Sequence, residues 1–382
     1  MSSGGRARDL RAAGRDILAL SMGEPDFDTP ASVREAAKRA IDAGETRYTA
    51  VDGTPALKKA IKAKFLRDNN LEYSDDEVIA TSGGKFLVYS AMMATLRPGD
   101  EAVIPAPYWV SYPDIVRLGG GTPVIVPAGA AQGFIPEVDE LESAITKKTR
   151  WLFLNSPNNP SGAVIPEDRL QAIGEMLERH PHVWVLTDDI YEHISYGDRT
   201  ATLPTVVPSL KDRTLIVNGA SKAYAMTGWR MGFGAGPEPL LRAMRKLAGQ
   251  ATSNPSSVTQ AAVAAALEGD HGFLADWVDT FRTRRDIVVR QLNLMEGVTC
   301  LEPRGAFYVF PSCRGLLGRS HNGEELETDV DFCSALLEAE GVATVPGTAF
   351  GLPGHFRISY ATGTDVLEEA MKRIANFVTS LT

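Results

Sequence analysis

One pattern constrains this chain more than any other. Short apolar or β-branched runs, each ending in a polar or Gly/Pro cluster, recur through its first two thirds. The runs are EVIATSGG (77–84), EAVIPAP (101–107), TPVIVP (122–127), RWLFLNSP (150–157), HVWVLTDD (182–189), TLIVNGAS (214–221) and MGFGAGP (231–237). Continuous apolar runs of this length read as strands covered on both faces. Helical periodicity fills several intervals, as from Phe86 to Leu96, stopped by Pro98-Gly99, and from Pro166 to Arg179. Strands alternating with helices predict an α/β fold, a mostly parallel seven-stranded sheet flanked by helices. The last run follows Arg230 closely, which predicts that it pairs antiparallel to its neighbours.

From roughly Leu240 to Leu294 the chain reads as helix, with a long amphipathic piece near Phe273 to Gln291. A different texture follows: CLEPRGAFYVF (300–310), a helix over DVDFCSALLEAEG (329–341), VATVPGTAF (342–350), a strand over HFRISYA (355–361) and a final helix from Thr364. That is an α+β module. The predicted organisation is a large domain over 26–290 and a smaller α+β domain from 1–25 and 291–382. The N-terminal stretch is assigned to the smaller domain because the loop GEPDFDTP (23–30) separates it from the sheet.

Charge and composition exclude several functions. With 39 basic against 48 acidic side chains the net charge is −9, and no Lys/Arg-rich stripe occurs, so nucleic acid is not an expected partner. No apolar run approaches the ~18 residues of a membrane-spanning helix. The polar start, MSSGGRARDLRAAGRD, lacks the apolar stretch of a secretory signal. Cys300, Cys313 and Cys333 fit neither a disulfide framework nor a zinc ribbon, and read as free thiols in a reducing cytoplasm.

In open parallel sheets ligands bind beyond the carboxyl ends of the strands. Those ends supply Gly83-Gly84-Lys85, Pro107-Tyr108-Trp109, NSPNNPSG (155–162), Asp188 to Tyr191, and Ser221-Lys222. Gly83-Gly84 is either a tight turn or a backbone cradle at a helix N-terminus, where free N–H groups receive an anion. Neither a nucleotide P-loop nor a dinucleotide fingerprint is present. Trp109 is either core packing or a plate for a flat ring. Asp188, at the end of an apolar strand, must be paired if buried. It could cap a helix, ligate a metal or hold a pyridine nitrogen protonated. No metal-ligand spacing is found, and His193 reads as a packed core histidine. The most specific stretch is GASKAYAMTGWRMG (219–232). A lysine at a buried strand end has a lowered pKa and could form a Schiff base with an aldehyde. Arg230 follows, between Gly228 and Gly232, and could grip a phosphate.

With these residues in view the sequence resembles the class I (fold type I) pyridoxal-phosphate aminotransferases. GEPDFDTP, RYT with Tyr48, SGGK, PYWVSYP, NSPNNPSG, the Asp188-x-x-Tyr191 pair, the lysine stretch, RGAFYVF, VPGTAFG and FRISYA occur in the family's order and span nearly the whole chain. Within the family the likeness is to the bacterial aspartate aminotransferase subgroup, some of whose members also aminate prephenate. The resemblance implies that Lys222 carries pyridoxal 5'-phosphate and that Asp188 pairs with the ring nitrogen. Tyr191 and Asn159 would bond the phenolic oxygen, and Trp109 would stack on the ring. Gly83, Gly84 and Arg230 would hold the phosphate, with Lys85 and Ser221 beside the cofactor and Tyr48 reaching in from a partner subunit. Arg357 would clasp the substrate α-carboxylate, helped by Gly23 and Asn159, and Lys85 would read a distal carboxylate. A homodimer with active sites at the subunit interface is implied, acting on amino acids and 2-oxo acids by ping-pong kinetics.

The chain departs from the family at three places. Residues 187–189 read TDD where relatives commonly read SDE, and the role needs only Asp188. TSNPSS (252–257) differs from the usual Ser/Thr-rich form, so Asn254 leaves distal-group recognition open. Arg6 stands where prephenate-using relatives often carry Lys, which keeps the charge but not the geometry. An aromatic or alanine aminotransferase, or a carbon–sulfur lyase, is the competing enzyme reading. A transcription regulator built on the same fold is disfavoured, because only about 20 residues precede GEPDFDTP, too few for a helix-turn-helix domain.

Overall fold

The computed structural model describes residues 3–197 and 200–382. All seven apolar runs form strands of one sheet. Across the sheet their order is Val78–Thr81, Gly232–Ala235, Thr214–Gly219, Trp184–Asp188, Thr149–Asn155, Glu101–Ala106 and Thr122–Pro127. Gly232–Ala235 runs antiparallel to both neighbours and the remaining pairs are parallel, as its short connection predicts. Strand alternation divides the core between the two faces. Trp151 and Phe153 join Ile104, Leu186 and the helix Gly84–Thr95 on one side, while Leu152 and Leu154 join Val103, Val185 and the helix Glu167–Glu178 on the other. Burial on both faces fails for Thr122–Pro127. This strand closes one edge of the sheet, and only Val126 in it is buried. The opposite edge strand, Val78–Thr81, is buried throughout, so edge position alone does not set exposure.

Three helices, Glu238–Ala251, Ser257–Glu268 and Phe273–Leu292, fill the stretch predicted to be helical. Beyond them lies a three-stranded antiparallel sheet of Val345–Pro346, Phe356–Ser359 and Tyr308–Val309, with helices Asp329–Glu340 and Thr364–Ser380. Thr328 caps the first of these, accepting from the backbone N–H of Asp331. The N-terminal helix Ser3–Ala12 places Ala7 and Leu10 against Leu337 and Ala343, and Leu18–Ala19 pairs parallel with Val342–Ala343. The three thiols are free and buried. No described helix is long and apolar enough to cross a membrane.

Candidate active site

The parallel strands end at one edge of the sheet, and the antiparallel strand Gly232–Ala235 begins at that edge. Residues just after Thr81, Ala106, Asn155, Asp188 and Gly219 therefore meet Arg230, two residues before Gly232. They line a cavity of about 480 Å³. Eleven of the residues singled out from the sequence line it: Gly23, Gly84, Lys85, Trp109, Asn159, Asp188, Tyr191, Ser221, Lys222, Arg230 and Arg357. Gly83 sits behind Arg230. It has φ +100°, and a Cβ there would lie 2.5 Å from Arg230 Nη2, so a side chain would be strained and would displace the guanidinium. Arg230 itself is left-handed, with φ +56°, held by its Nη1 donating to the carbonyl of Thr227 at 2.8 Å. Tyr48 does not line the cavity of its own chain and is 91% exposed.

Lys222 Nζ donates to the carbonyl of Gly23 at 2.5 Å. Burial, with the charges of Arg357 and Arg230, lowers its pKa to about 8 against the opposing pull of Glu24 and Asp188. Asp188 is buried, and desolvation raises its pKa to about 6. Two donors restrain that rise, the Tyr112 hydroxyl at 2.6 Å and the Ile190 N–H at 3.3 Å. Among the described residues no cation forms an ion pair with Asp188. Arg357 is the opposite case, a buried guanidinium without a carboxylate partner among the described residues. Burial lowers its pKa, and its Nε lacks a hydrogen bond. It donates to Asn159 Oδ1 at 2.8 Å and to the Ser21 carbonyl at 2.7 Å, and stacks on Tyr308 and Phe350. Tyr191 shares a 2.8 Å hydroxyl hydrogen bond with Tyr308. Lys85 Nζ lies 5.0 Å over the Trp109 ring.

Sequence reasoning missed Tyr112, Tyr308, Phe350 and Glu24. Tyr112 had a signal, because it follows Trp109 by one helical turn and so shares its side. Tyr308 and Phe350 reach the site from distant segments; the motifs RGAFYVF and VPGTAFG contain them, but nothing in those stretches marks these two side chains as facing the cavity. Glu24, in the cavity wall, accepts from Thr227 Oγ1 at 2.5 Å. The carboxylates of Asp68 and Glu192 come together with His193. Glu192 is already ion-paired to Lys64, which supplies the cation there.

An α/β sheet whose carboxyl edge gathers a depressed lysine, an unpaired buried carboxylate and two arginines defines an enzyme that handles small anionic molecules through an amine. Comparison with known proteins gives that class a family. The chain matches the family described as aminotransferase class I and II over residues 15–374, belongs to it, and is an aminotransferase. It is 54% identical to an aspartate/prephenate aminotransferase of Cereibacter sphaeroides over 378 residues, 98% of this chain and 94% of that one. The crystal structure of the aspartate aminotransferase from Rhizobium meliloti superposes with a TM-score of 0.97 at 51% identity, covering 100% of this chain and 96% of that one. Thermus thermophilus aspartate aminotransferase with maleate gives 0.92 at 40% identity, with coverages of 98% and 95%. Enzymes of this family are pyridoxal-phosphate-dependent, and the residues present fit that group. Gly83 and Arg230 form an anion cradle at the start of the helix Gly84–Thr95, Asp188 awaits a cation, and Lys222 offers an amine.

Proposed function

We propose that the protein moves the amino group of L-aspartate to a 2-oxo acid such as 2-oxoglutarate, with prephenate as a further acceptor, using pyridoxal 5'-phosphate. The observation that carries this reading is one cavity holding two cations for a substrate, the unpaired Arg357 and the exposed end of Lys85, beside the Lys222 amine. A dicarboxylate needs two such cations, and the Thermus relative was solved with maleate, itself a dicarboxylate.

The division of work follows from the residues. Pyridoxal phosphate, when bound, supplies an aldehyde for the amino group and a ring that withdraws electrons from the reacting carbon. Asp188 would hold a proton on the ring nitrogen by pairing with it. Tyr191 and Asn159 would bond the phenolic oxygen, Trp109 would cover one face, and Gly83, Gly84 and Arg230 would hold the phosphate. Arg357 binds the α-carboxylate through its planar fork and so fixes which bond at Cα faces the lysine. Lys222, with a pKa of about 8, is neutral in a useful fraction near neutral pH. Its Nζ would take the Cα proton of the amino donor and, in the second half-reaction, deliver a proton to Cα of the acceptor.

We further propose a homodimer in which Tyr48, exposed on its own chain, completes the partner's phosphate site. We propose a cytoplasmic location, supported by three free buried thiols. We also propose two domains divided near residue 290. Lys222→Ala tests the central assignment. The purified variant should lack the visible absorbance of lysine-bound cofactor and lose essentially all turnover. Near-normal turnover, or pyruvate released from amino acids without any 2-oxo acid acceptor, would refute the reading.

A further inference from the structure

Behind the cavity, and outside its lining, lies a buried polar cluster with no part in the chemistry above. Lys64, on the helix Pro55–Asn69, is 1% exposed and pairs with Glu192 Oε1. Its Nζ also donates to Asn69 Oδ1 at 2.7 Å. Asn69 Nδ2 donates to Glu192 Oε2 at 3.0 Å, and Asn218 Nδ2 donates to Glu192 Oε1 at 2.7 Å. Asn218 Oδ1 accepts from the backbone N–H of Gly219 at 2.7 Å. Both carboxylate oxygens are therefore committed. Burial alone would raise the Glu192 pKa, but Lys64 and its other neighbours hold it at about 2.

The two segments joined here are the two that carry the reacting groups. Glu192 follows Tyr191 directly, in the turn after Asp188, and Asn218 is the penultimate residue of the strand Thr214–Gly219, four residues before Lys222. Replacing a buried ion pair by apolar residues is often neutral or stabilising, so stability does not explain why this site holds one. Directionality does. A carboxylate with three fixed donors sets separations that apolar contacts leave loose.

We propose that Glu192, held by Lys64, Asn69 and Asn218, is a positioning residue that fixes the turn bearing Asp188 and Tyr191 against the turn bearing Lys222. The proposal rests on the reading of Lys222 as the cofactor-bearing amine. Its effect is geometric. The charges facing Lys222 come from Arg357, Arg230, Glu24 and Asp188, none of which belongs to the cluster.

The test compares the holoenzyme with two variants. Lys64→Met/Glu192→Leu removes the charges in a balanced pair, and Asn218→Ala cuts only the link to the lysine strand. Both should bind stoichiometric pyridoxal phosphate by absorbance. Misplacement of the amine should lower kcat for aspartate about tenfold with KM within about twofold. In the cofactor-free chain, Lys222 should react with an amine-directed reagent about threefold faster than in wild type, because its turn is looser. Wild-type kcat and labelling rate in a folded double variant would overturn the proposal. Should that variant not fold, the same wild-type values in Asn218→Ala would overturn it. A wild-type protein that never takes up the cofactor would instead sink the aminotransferase chemistry on which the proposal stands.

Discussion

Asp188 is costly to the cofactor-free protein, and the cost is measurable. Its pKa rises from 3.8 to about 6 because burial removes water and, among the described residues, no cation is in contact to replace it, Lys222 offsetting the rise only in part. About two pKa units at roughly 1.4 kcal/mol each amount to about 3 kcal/mol. The sign follows from the direction of the shift. With the folded value above the unfolded one, the contribution to stability is fully present below about pH 4 and is lost as pH rises through 6. Asp188→Asn removes the titration. The amide can still accept from the Ile190 N–H and donate to the Tyr112 oxygen, but the Tyr112 proton then loses its acceptor, which costs about 1 kcal/mol. The cofactor-free variant should thus be about 2 kcal/mol more stable than wild type at pH 8, which for a chain of this size is roughly 2–3 °C in Tm. At pH 4 the advantage should vanish. Thermal melts at the two pH values provide the assay. With pyridoxal phosphate bound the ranking should reverse, since the wild-type carboxylate then has its cation. A variant no more stable than wild type at pH 8, or equally favoured at both pH values, would refute the account of Asp188 as an unpaired buried charge.

Arg357→Leu should raise KM for aspartate about thirtyfold or more while cofactor absorbance stays intact, since a buried charge pair to the α-carboxylate is lost. An unchanged KM would remove Arg357 from the substrate. Lys85→Ala should lose more kcat/KM on aspartate than on alanine, and equal losses would end its role with the distal carboxylate. Tyr112→Phe takes away a donor that holds the Asp188 pKa down, so the pH at which the cofactor-free protein loses stability should move upward. A midpoint that stays in place would show that the 2.6 Å hydrogen bond is without consequence.

The groups proposed to do the chemistry could be read from the sequence because backbone topology positions them. Asp188 and Lys222 end buried apolar runs, and such runs can only be strands whose carboxyl ends share an edge. Arg230 was readable for the complementary reason. It precedes a strand joined too closely to its predecessor for a crossover, so that strand starts where the others stop. The groups that tune the chemistry carry no such mark. Tyr308 meets Tyr191 across 117 positions, and Lys64 meets Glu192 from a helix whose sequence shows only an ordinary lysine. Helix periodicity puts position 64 on the face of Leu57, Ile61 and Phe65, but a lysine there gives no sign of which carboxylate it meets, and it is 1% exposed. Tyr48 marks a different limit. In the homodimer proposed above, a side chain 91% exposed on its own chain would take its meaning from a second copy of the molecule. Side-chain packing is settled by which surfaces meet after the strands are ordered, and it is there that two sequences with the same strand-end residues can still differ in rate.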